Sequence, residues 1–403
     1  MAPAPPARTL EALVVAPRSA GDVRASPPGD APRRFHATMP GYAPTPLRGA
    51  PTTAKQLGVA EVLVKDESSR LGLPSFKVLG AAWAVHRALL ERMGLGPDEV
   101  PSFDALASRV RHLPPMTLSA ATDGNHGRAV AHMAALLDLE ARIYVPAGTA
   151  RARIDAIASE GASVEVVDGG YDDAVRRSAA DAGERCLVIS DTSWPGYEDV
   201  PRWVIEGYAT IFSEIDDQLA ERGLGRVDMV AVPIGVGALA AATAAHFWAR
   251  DGRRPVLVGV EPTSAACVLE SVRWGSIATL EHEQHSMMAG LNCATPSLIA
   301  WPVVSRGIDV YMAVGDQRVP TAMRLLADDG IVAGETGAAG LAGMLRLQEA
   351  ADAGQLPAEL RPRSNTRVLL LCTEGATDPE AYRQLTGSSP EKAAAARPRD
   401  YSP

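Results

Sequence analysis

The stretch VLVKDESSRLGLPSFKVLGAA at residues 62–82 reads as a strand, a polar loop and the start of a helix. Ser75, Phe76 and Lys77 end the loop and lead into small apolar residues. We expect Lys77 to begin the helix, where apolar neighbours and the positive helix N-terminus lower the pKa of its amine. A neutral amine can form a Schiff base with a carbonyl compound, whereas the alternative is a surface lysine at a helix start.

Outward from this stretch, short β-branched runs alternate with alanine-rich runs. The expected strands are residues 61–65, 141–145, 163–167, 229–233, 256–260 and 368–372. Most are followed by helical stretches, such as residues 78–89, 128–137 and 321–328. This alternation predicts an α/β fold in which helices flank parallel sheets.

A second motif is LSAATDGNHGRAVA at residues 118–131, where a strand runs through a glycine-bracketed turn into a helix. Such a turn directs several backbone N–H groups at an anion, and a substrate carboxylate would suit it. Asp123 lies beside that turn, where a carboxylate is unfavourable unless it transfers protons. The alternative is a plain Asx-Gly turn in which Asp123 caps the helix.

A third motif is MVAVPIGVGALAAA at residues 229–242, a buried strand that leads through glycines into a helix. The amides of Gly235, Val236, Gly237 and Ala238 would form a phosphate site at the helix start. The same glycines also fit a dinucleotide-binding fingerprint, with Glu261 at the end of the next strand. The glycine pattern by itself leaves both alternatives open.

Length, composition and charge indicate the number of domains and exclude some classes of partner. The chain has 403 residues, of which 46% are hydrophobic, and about two domains are expected at this length. The net charge of −9 and the absence of a basic block argue against nucleic acid and anionic membranes as partners. Residues 229–249 are uncharged, but Pro233 and the glycines within them favour a buried strand, turn and helix over a membrane span.

Cysteine usage and histidine spacing indicate neither disulfides nor a metal site. Four widely spaced cysteines predict reduced thiols and a cytoplasmic protein, with a Cys267–Cys293 bridge as the alternative. His282 and His285 in EHEQH could share a metal on one helical turn, but a solvated polar loop is favoured because no third ligand is evident. The N-terminus lacks the long apolar core of a secretory signal.

Together these motifs resemble the tryptophan-synthase-β-like, fold type II enzymes that depend on pyridoxal 5'-phosphate. The closer resemblance is to the diaminopropionate ammonia-lyases, and it spans about residues 36 to 385. Five motifs in the same order carry it: KDESSRLGLPSFKVLGA at 65–81, ATDGNHGRAVA at 121–131, DTSWPGYEDVPRWVIEGY at 191–208, MMAGLNC at 287–293 and CTEGATDPEAY at 372–382.

The resemblance implies a set of cofactor contacts. Lys77 would be the Schiff-base lysine, Asn125 would bond the ring hydroxyl, and the amides of residues 235–238 would hold the phosphate. Thr373, or else Cys372, would face the pyridine nitrogen. A neutral hydroxyl there leaves the ring unprotonated, a weaker electron sink that suits elimination over transamination.

The resemblance also implies how substrate is bound. The turn made by Thr122, Asp123, Gly124, Asn125 and His126 would hold the substrate carboxylate. Asp123 would take the α-proton of the enantiomer that Lys77 cannot reach, and relatives that dehydrate serine or threonine carry a hydroxyl residue there. Asp191 would join Asp123 in an acidic pocket that attracts a β-ammonium group. The implied reaction converts 2,3-diaminopropionate to pyruvate and two ammonia.

The implied architecture has two domains with the active site between them. A large cofactor domain would combine residues 36–85 and 206–386, and a small domain would span residues 86–205. Residues 1–35 are expected to be disordered or loosely attached, and residues 387–403 to be a flexible tail. A homodimer is expected from the resemblance alone.

Two other functions stay open at this point. The nearer is a pyridoxal-phosphate lyase, dehydratase or β-replacement enzyme for serine, threonine or another β-substituted alanine. The family's acidic residue after Glu-Gly is Ala376 here, which bears on substrate preference. The more distant alternative is a dinucleotide-binding protein that uses Gly235, Gly237 and Glu261.

Overall fold

A computed structural model describes residues 11–16, 27, 29–122, 124–250 and 252–396. The strands of the described part are β1 (Ala12–Val15), β2 (Leu47–Gly49), β3 (Glu61–Asp66), β4 (Thr117–Ala121), β5 (Glu140–Pro146), β6 (Ser163–Val167), β7 (Cys186–Val188), β8 (Met229–Pro233), β9 (Val256–Pro262), β10 (Val310–Val314) and β11 (Arg367–Cys372). Its helices are α1 (Ala31–His36), α2 (Pro51–Leu57), α3 (Lys77–Arg92), α4 (Phe103–Val110), α5 (Asn125–Leu136), α6 (Arg151–Ala158), α7 (Tyr171–Ala179), α8 (Asp199–Gly207), α9 (Ala209–Glu221), α10 (Ala238–Trp248), α11 (Cys267–Trp274), α12 (Trp301–Gly307), α13 (Val319–Asp328), α14 (Ala339–Asp352), α15 (Pro379–Thr386) and α16 (Pro390–Ala395).

The strands form two sheets. A seven-stranded sheet has the order β1-β10-β9-β8-β11-β3-β2; its five inner strands are parallel and its two edge strands antiparallel. A four-stranded sheet has the order β6-β5-β4-β7 and is wholly parallel. The predicted α/β class, with parallel sheets flanked by helices, is confirmed, and the predicted strands match the observed ones to within two residues.

The uncharged run at residues 229–249 lies in the core of the larger sheet. Every residue of β8 is buried, as expected for a parallel strand covered on both faces. The chain then turns at Gly235 and Gly237 into α10, which packs against α12. This confirms the buried strand, turn and helix. None of the helices in the described ranges is long and apolar enough to cross a membrane.

The described residues nearest both ends of the chain carry more regular structure than the sequence predicts. Strand β1 pairs with β10 because its alternating side chains reach both core clusters, Leu13 and Val15 on one face and Ala12 and Val14 on the other. The helix α16 occupies part of the expected C-terminal tail. A strand of four residues and a helix of six residues are too short to be stable alone, so they depend on the sheet or helices that they pack against.

The two sheets come from separate stretches of the chain, with β4 to β7 inserted between β3 and β8. The predicted boundary at residues 85 and 86 falls inside the continuous helix α3. This helix packs against α5 and α8. The exact domain limits therefore stay a prediction.

Candidate active site

Residues that follow β4, β8 and β11 line one cleft together with the start of α3. Every predicted site residue that the structure describes lines this cleft: Lys77, Thr122, Gly124, Asn125, His126, Asp191, Gly235, Val236, Gly237, Ala238 and Thr373. Asp123 lies outside the described residues. The chain has four lysines (Lys55, Lys65, Lys77 and Lys392), and Lys77 is the one that lines the cleft.

The loop before Lys77 is fixed by a buried charge cluster. The Arg70 guanidinium is fully buried and donates to the carboxylates of Glu67 and Glu214 at 2.7–2.8 Å. Lys65 donates to the same Glu214 carboxylate at 2.7 Å. Buried charges tolerate little displacement because each loses its partner when it moves. The cluster therefore fixes the loop that leads to Lys77.

The other end of the loop is fixed to the end of β11. The Phe76 N–H donates to the Thr373 carbonyl oxygen at 3.3 Å, and the Gly375 N–H donates to the Pro74 carbonyl oxygen at 2.9 Å. These two bonds bring Lys77 and Thr373 to the same part of the cleft, although about 300 residues separate them along the chain.

Lys77 begins α3 as predicted, but its charge state differs from the prediction. Its Nζ atom donates to Asp191 Oδ2 at 2.6 Å. Burial opposes the charge of Lys77, but the Asp191 carboxylate outweighs that effect and raises the pKa of the amine. The expectation of a lowered pKa was wrong, because local sequence does not show a carboxylate that is distant along the chain.

Asp191 has three polar neighbours in the cleft. Besides Lys77, the Tyr171 hydroxyl donates to Asp191 Oδ1 at 3.2 Å, and His126 Nδ1 lies 4.0 Å from Oδ2. Burial opposes ionisation, but Lys77 and His126 hold the pKa of Asp191 below its usual range. Asp191 is therefore an ionised carboxylate that accepts a primary ammonium.

Local hydrogen bonds hold the described residues on either side of Asp123. Gly124 has φ of +152°, and its N–H donates to Thr122 Oγ1 at 2.9 Å. His126 Nε2 bonds the Ile189 carbonyl oxygen at 2.7 Å, which fixes its ring. The helix α5 starts at Asn125, so the first amides of a twelve-residue helix open onto the cleft.

The turn after β8 leaves a cradle that side chains would fill. A Cβ atom at Gly235 would stand 3.1 Å from the Gly290 carbonyl oxygen and 3.2 Å from Cys293 Sγ. Gly237 has φ of +100°, a conformation that L-residues rarely adopt. The amides before α10 are thus accessible at the helix start, and the cradle fits a phosphate group.

The structure distinguishes Thr373 from Cys372. Thr373 lines the cleft, and its buried Oγ1 has no hydrogen-bond partner among the described residues. The Cys372 thiol donates to the Glu374 carbonyl oxygen at 3.4 Å and does not line the cleft. A buried hydroxyl without a partner requires one, and the ring nitrogen of pyridoxal phosphate would supply it. The described residues therefore fit this cofactor.

Several cleft residues were missed by sequence reasoning. Tyr171, Arg153, Thr336 and Glu374 all line the cleft. The Asn125 amide donates to the Glu374 carboxylate from across the cleft. Glu374 does lie in a quoted motif, CTEGATD, but nothing in that motif indicates which residue it contacts.

Glu261 does not support the dinucleotide alternative. Its buried carboxylate accepts the Val268 and Leu269 N–H groups at 2.8 Å each, and it caps α11 rather than facing the cleft. His282 lies in an irregular loop and bonds the Ser264 carbonyl oxygen at 3.1 Å. Throughout the described ranges, no group of three or more potential metal ligands is found.

The four cysteines are free thiols in the structure. Cys267 is buried, and its thiol donates to the Gly235 carbonyl oxygen at 3.7 Å. Burial raises the pKa of this thiol well above its ordinary range, so it is the protonated form that contacts the turn after β8.

Comparison with known proteins agrees with this geometry. A family model for "Pyridoxal-phosphate dependent enzyme" matches residues 38–373. The chain is 35% identical over 362 residues to diaminopropionate ammonia-lyase of Escherichia coli strain K12, covering 88% of this chain and 89% of that protein. Its identity to diaminopropionate ammonia-lyase of Salmonella typhimurium strain LT2 is 33% over 365 residues, covering 87% and 90%.

Among solved structures, a crystal structure of the Escherichia coli diaminopropionate ammonia lyase in complex with D-serine has a similar fold. The TM-score is 0.83 at 32% identity, and the match covers 94% of this chain and 98% of that one. The chain therefore belongs to the family of fold type II pyridoxal-phosphate-dependent enzymes that includes the diaminopropionate ammonia-lyases.

Proposed function

We propose that this protein removes the β-amino group of 2,3-diaminopropionate as ammonia, with the D- and L-isomers both as substrates. One water is consumed, and the products are pyruvate and a second ammonia. When bound, pyridoxal phosphate supplies an electron sink that stabilises negative charge at the substrate Cα. The chain's own residues bind the substrate, orient it and transfer its protons.

One observation carries the substrate assignment: the ionised Asp191 carboxylate already holds a primary ammonium, that of Lys77, at 2.6 Å. The β-ammonium of diaminopropionate is the same chemical group. If Lys77 were engaged by the cofactor, the Asp191 carboxylate would be left to accept another ammonium group. Serine and threonine carry a neutral hydroxyl in place of that ammonium, so they gain less from the carboxylate.

We propose roles for the remaining predicted site residues as well. The amides of residues 235–238 hold the cofactor phosphate, and Thr373 faces the ring nitrogen. The turn at residues 122–126 binds the substrate carboxylate. Lys77 takes the α-proton of one enantiomer, and Asp123 takes that of the other.

A substrate panel tests this function. Pyruvate release is measured from D- and L-2,3-diaminopropionate, with serine and threonine as controls at equal concentration. We expect both diaminopropionate isomers to have a higher kcat/KM than serine or threonine. A preference for serine or threonine would refute the substrate assignment and favour a dehydratase, the nearest alternative. Ala376, which stands where the family has an acidic residue, is the sequence feature consistent with that alternative.

The biological setting is part of the proposal. We infer a cytoplasmic homodimer in which residues 36–85 and 206–386 form the cofactor domain and residues 86–205 form a small domain that closes on substrate. Free thiols at all four cysteines support a reducing compartment. Size-exclusion chromatography with light scattering measures the oligomeric state directly.

A further inference from the structure

Glu374 is a buried carboxylate in the cleft for which the proposed function gives no role. It follows Thr373 at the end of β11 and is 3% exposed. One carboxylate oxygen accepts the Thr336 N–H at 3.1 Å. The other accepts the side-chain amide of Asn125. Both oxygens are therefore occupied by donors within the protein.

Close backbone packing holds Glu374 in place. A Cβ atom at Gly337 would overlap the Glu374 carbonyl oxygen, and one at Gly334 would overlap that of Gly375. The Gly334 N–H also donates to the Glu374 carbonyl oxygen at 3.0 Å. Glycine is required at both positions because the loop between α13 and α14, which contains them, lies directly against residues 374 and 375. The carboxylate therefore projects from a rigid backbone.

The chemistry of the contact fixes the orientation of Asn125. A carboxylate oxygen that accepts a hydrogen bond must meet a donor, whereas a side-chain amide has one accepting end and one donating end. The Asn125 NH₂ group must therefore face Glu374. One of the two N–H bonds of the Asn125 amide donates to Glu374. Because the amide group is planar, this hydrogen bond also sets the direction of the second N–H.

The contact also joins the two sheets. Asn125 begins α5, which follows β4 of the four-stranded sheet, whereas Glu374 follows β11 of the seven-stranded sheet. The hydrogen bond crosses the cleft in which the cofactor would bind. A bond in this position couples the orientation of Asn125 to the larger sheet.

We propose that Glu374 is a positioning residue that presents the second Asn125 N–H to the ring hydroxyl of pyridoxal phosphate. This deepens the proposed function and rests on the part of it that places the cofactor beside Asn125. Glu374 acts through Asn125 and touches neither cofactor nor substrate. A glutamine in its place can face Asn125 in either of two amide orientations, so it does not fix the amide.

The test is a cofactor titration of the apo-protein, followed by visible absorbance. Glu374→Gln replaces the carboxylate acceptor with an amide that does not fix Asn125, and we expect pyridoxal phosphate to bind about tenfold more weakly. Glu335→Gln is the matched control, because Glu335 is buried in the loop between α13 and α14 that packs against Glu374, yet does not line the cleft. It should bind the cofactor as the wild type does. Unchanged affinity in Glu374→Gln would overturn the proposal.

A double-mutant cycle separates positioning from direct contact. If Glu374 acts through Asn125, Glu374→Gln should weaken cofactor binding no further in an Asn125→Ala background. Additive losses would show that Glu374 contacts the cofactor itself and would overturn the proposal. The titration contains no diaminopropionate. The effect of Glu374→Gln on cofactor affinity can therefore be interpreted even if the protein does not catalyse the proposed reaction.

A second pair of variants covers the case in which Glu374→Gln fails to fold. Asn125→Asp puts two carboxylates in contact and should lower the thermal midpoint of the apo-protein. Adding Glu374→Gln to that variant supplies a donor and should raise the midpoint again. Absence of rescue would show that the two side chains do not pair in solution.

Discussion

Replacing Asp191 with asparagine removes the negative charge that keeps the Lys77 amine protonated. At the 2.6 Å separation of Lys77 Nζ and Asp191 Oδ2, two unit charges attract by about 6 kcal/mol at an effective dielectric constant of about 20. Burial of both groups offsets part of this attraction. An opposite charge at close range typically moves a pKa by about 1 to 3 units. The asparagine variant should lower the pKa of Lys77 by an amount in that range.

The direction of the effect on reactivity follows from the neutral amine. Only the unprotonated Lys77 amine attacks the cofactor aldehyde, and its fraction rises tenfold per pH unit below the pKa. In the wild type, covalent capture of pyridoxal phosphate should therefore accelerate as the pH rises. In Asp191→Asn, the same profile should lie about 1 to 3 pH units lower.

The assay mixes apo-protein with pyridoxal phosphate from pH 6 to pH 10 and records the rate at which visible absorbance appears. Asp172→Asn is the control, because Asp172 is acidic and near Tyr171 but does not line the cleft. Its profile should match the wild type. An Asp191→Asn profile that coincides with the wild type, or lies at higher pH, would refute the electrostatic reasoning.

Three other predictions concern single side chains. Thr373→Val keeps the shape of the side chain but removes the unpartnered hydroxyl, so apo-protein stability should hold or rise while cofactor affinity falls about tenfold in an absorbance titration. Burial raises the pKa of Glu261 from 4.5 to about 8; the free energy of unfolding should therefore fall as pH rises between these values, and melting curves of Glu261→Gln should lack this fall. Asp123→Asn should slow the D-isomer by about 10² to 10⁴ and the L-isomer less, measured as pyruvate release; equal losses would make Asp123 a binding group.

Local patterns predicted six of the strands, the helices that follow the motifs, and where the chain turns into the cleft. Lys77 does begin a helix, and Gly235 and Gly237 do form a turn before another. These features follow from residues close together in sequence, where apolar runs and glycines constrain the backbone directly. The bounds of the six strands expected from the sequence were correct to within two residues for the same reason.

Contacts between distant parts of the chain were not predicted. The partner of Lys77 is 114 residues away, and the partner of Asn125 is 249 residues away. Both pairs form only when the two sheets are assembled around the cleft. The sign of the Lys77 pKa shift depends on one of these contacts, which explains why reasoning from helix position and neighbouring residues gave the wrong direction.

The central claim is that Lys77 binds pyridoxal phosphate covalently in this cleft. Borohydride reduction of the holoprotein followed by peptide mapping tests it most directly, because the chain has only four lysines. We predict a phosphopyridoxyl label on Lys77, and Lys77→Ala should lose the visible absorbance. Lys65 should stay unlabelled, because it is fully buried and paired with Glu214 at 2.7 Å. A label on Lys55 or Lys65, or visible absorbance that survives in Lys77→Ala, would contradict the account.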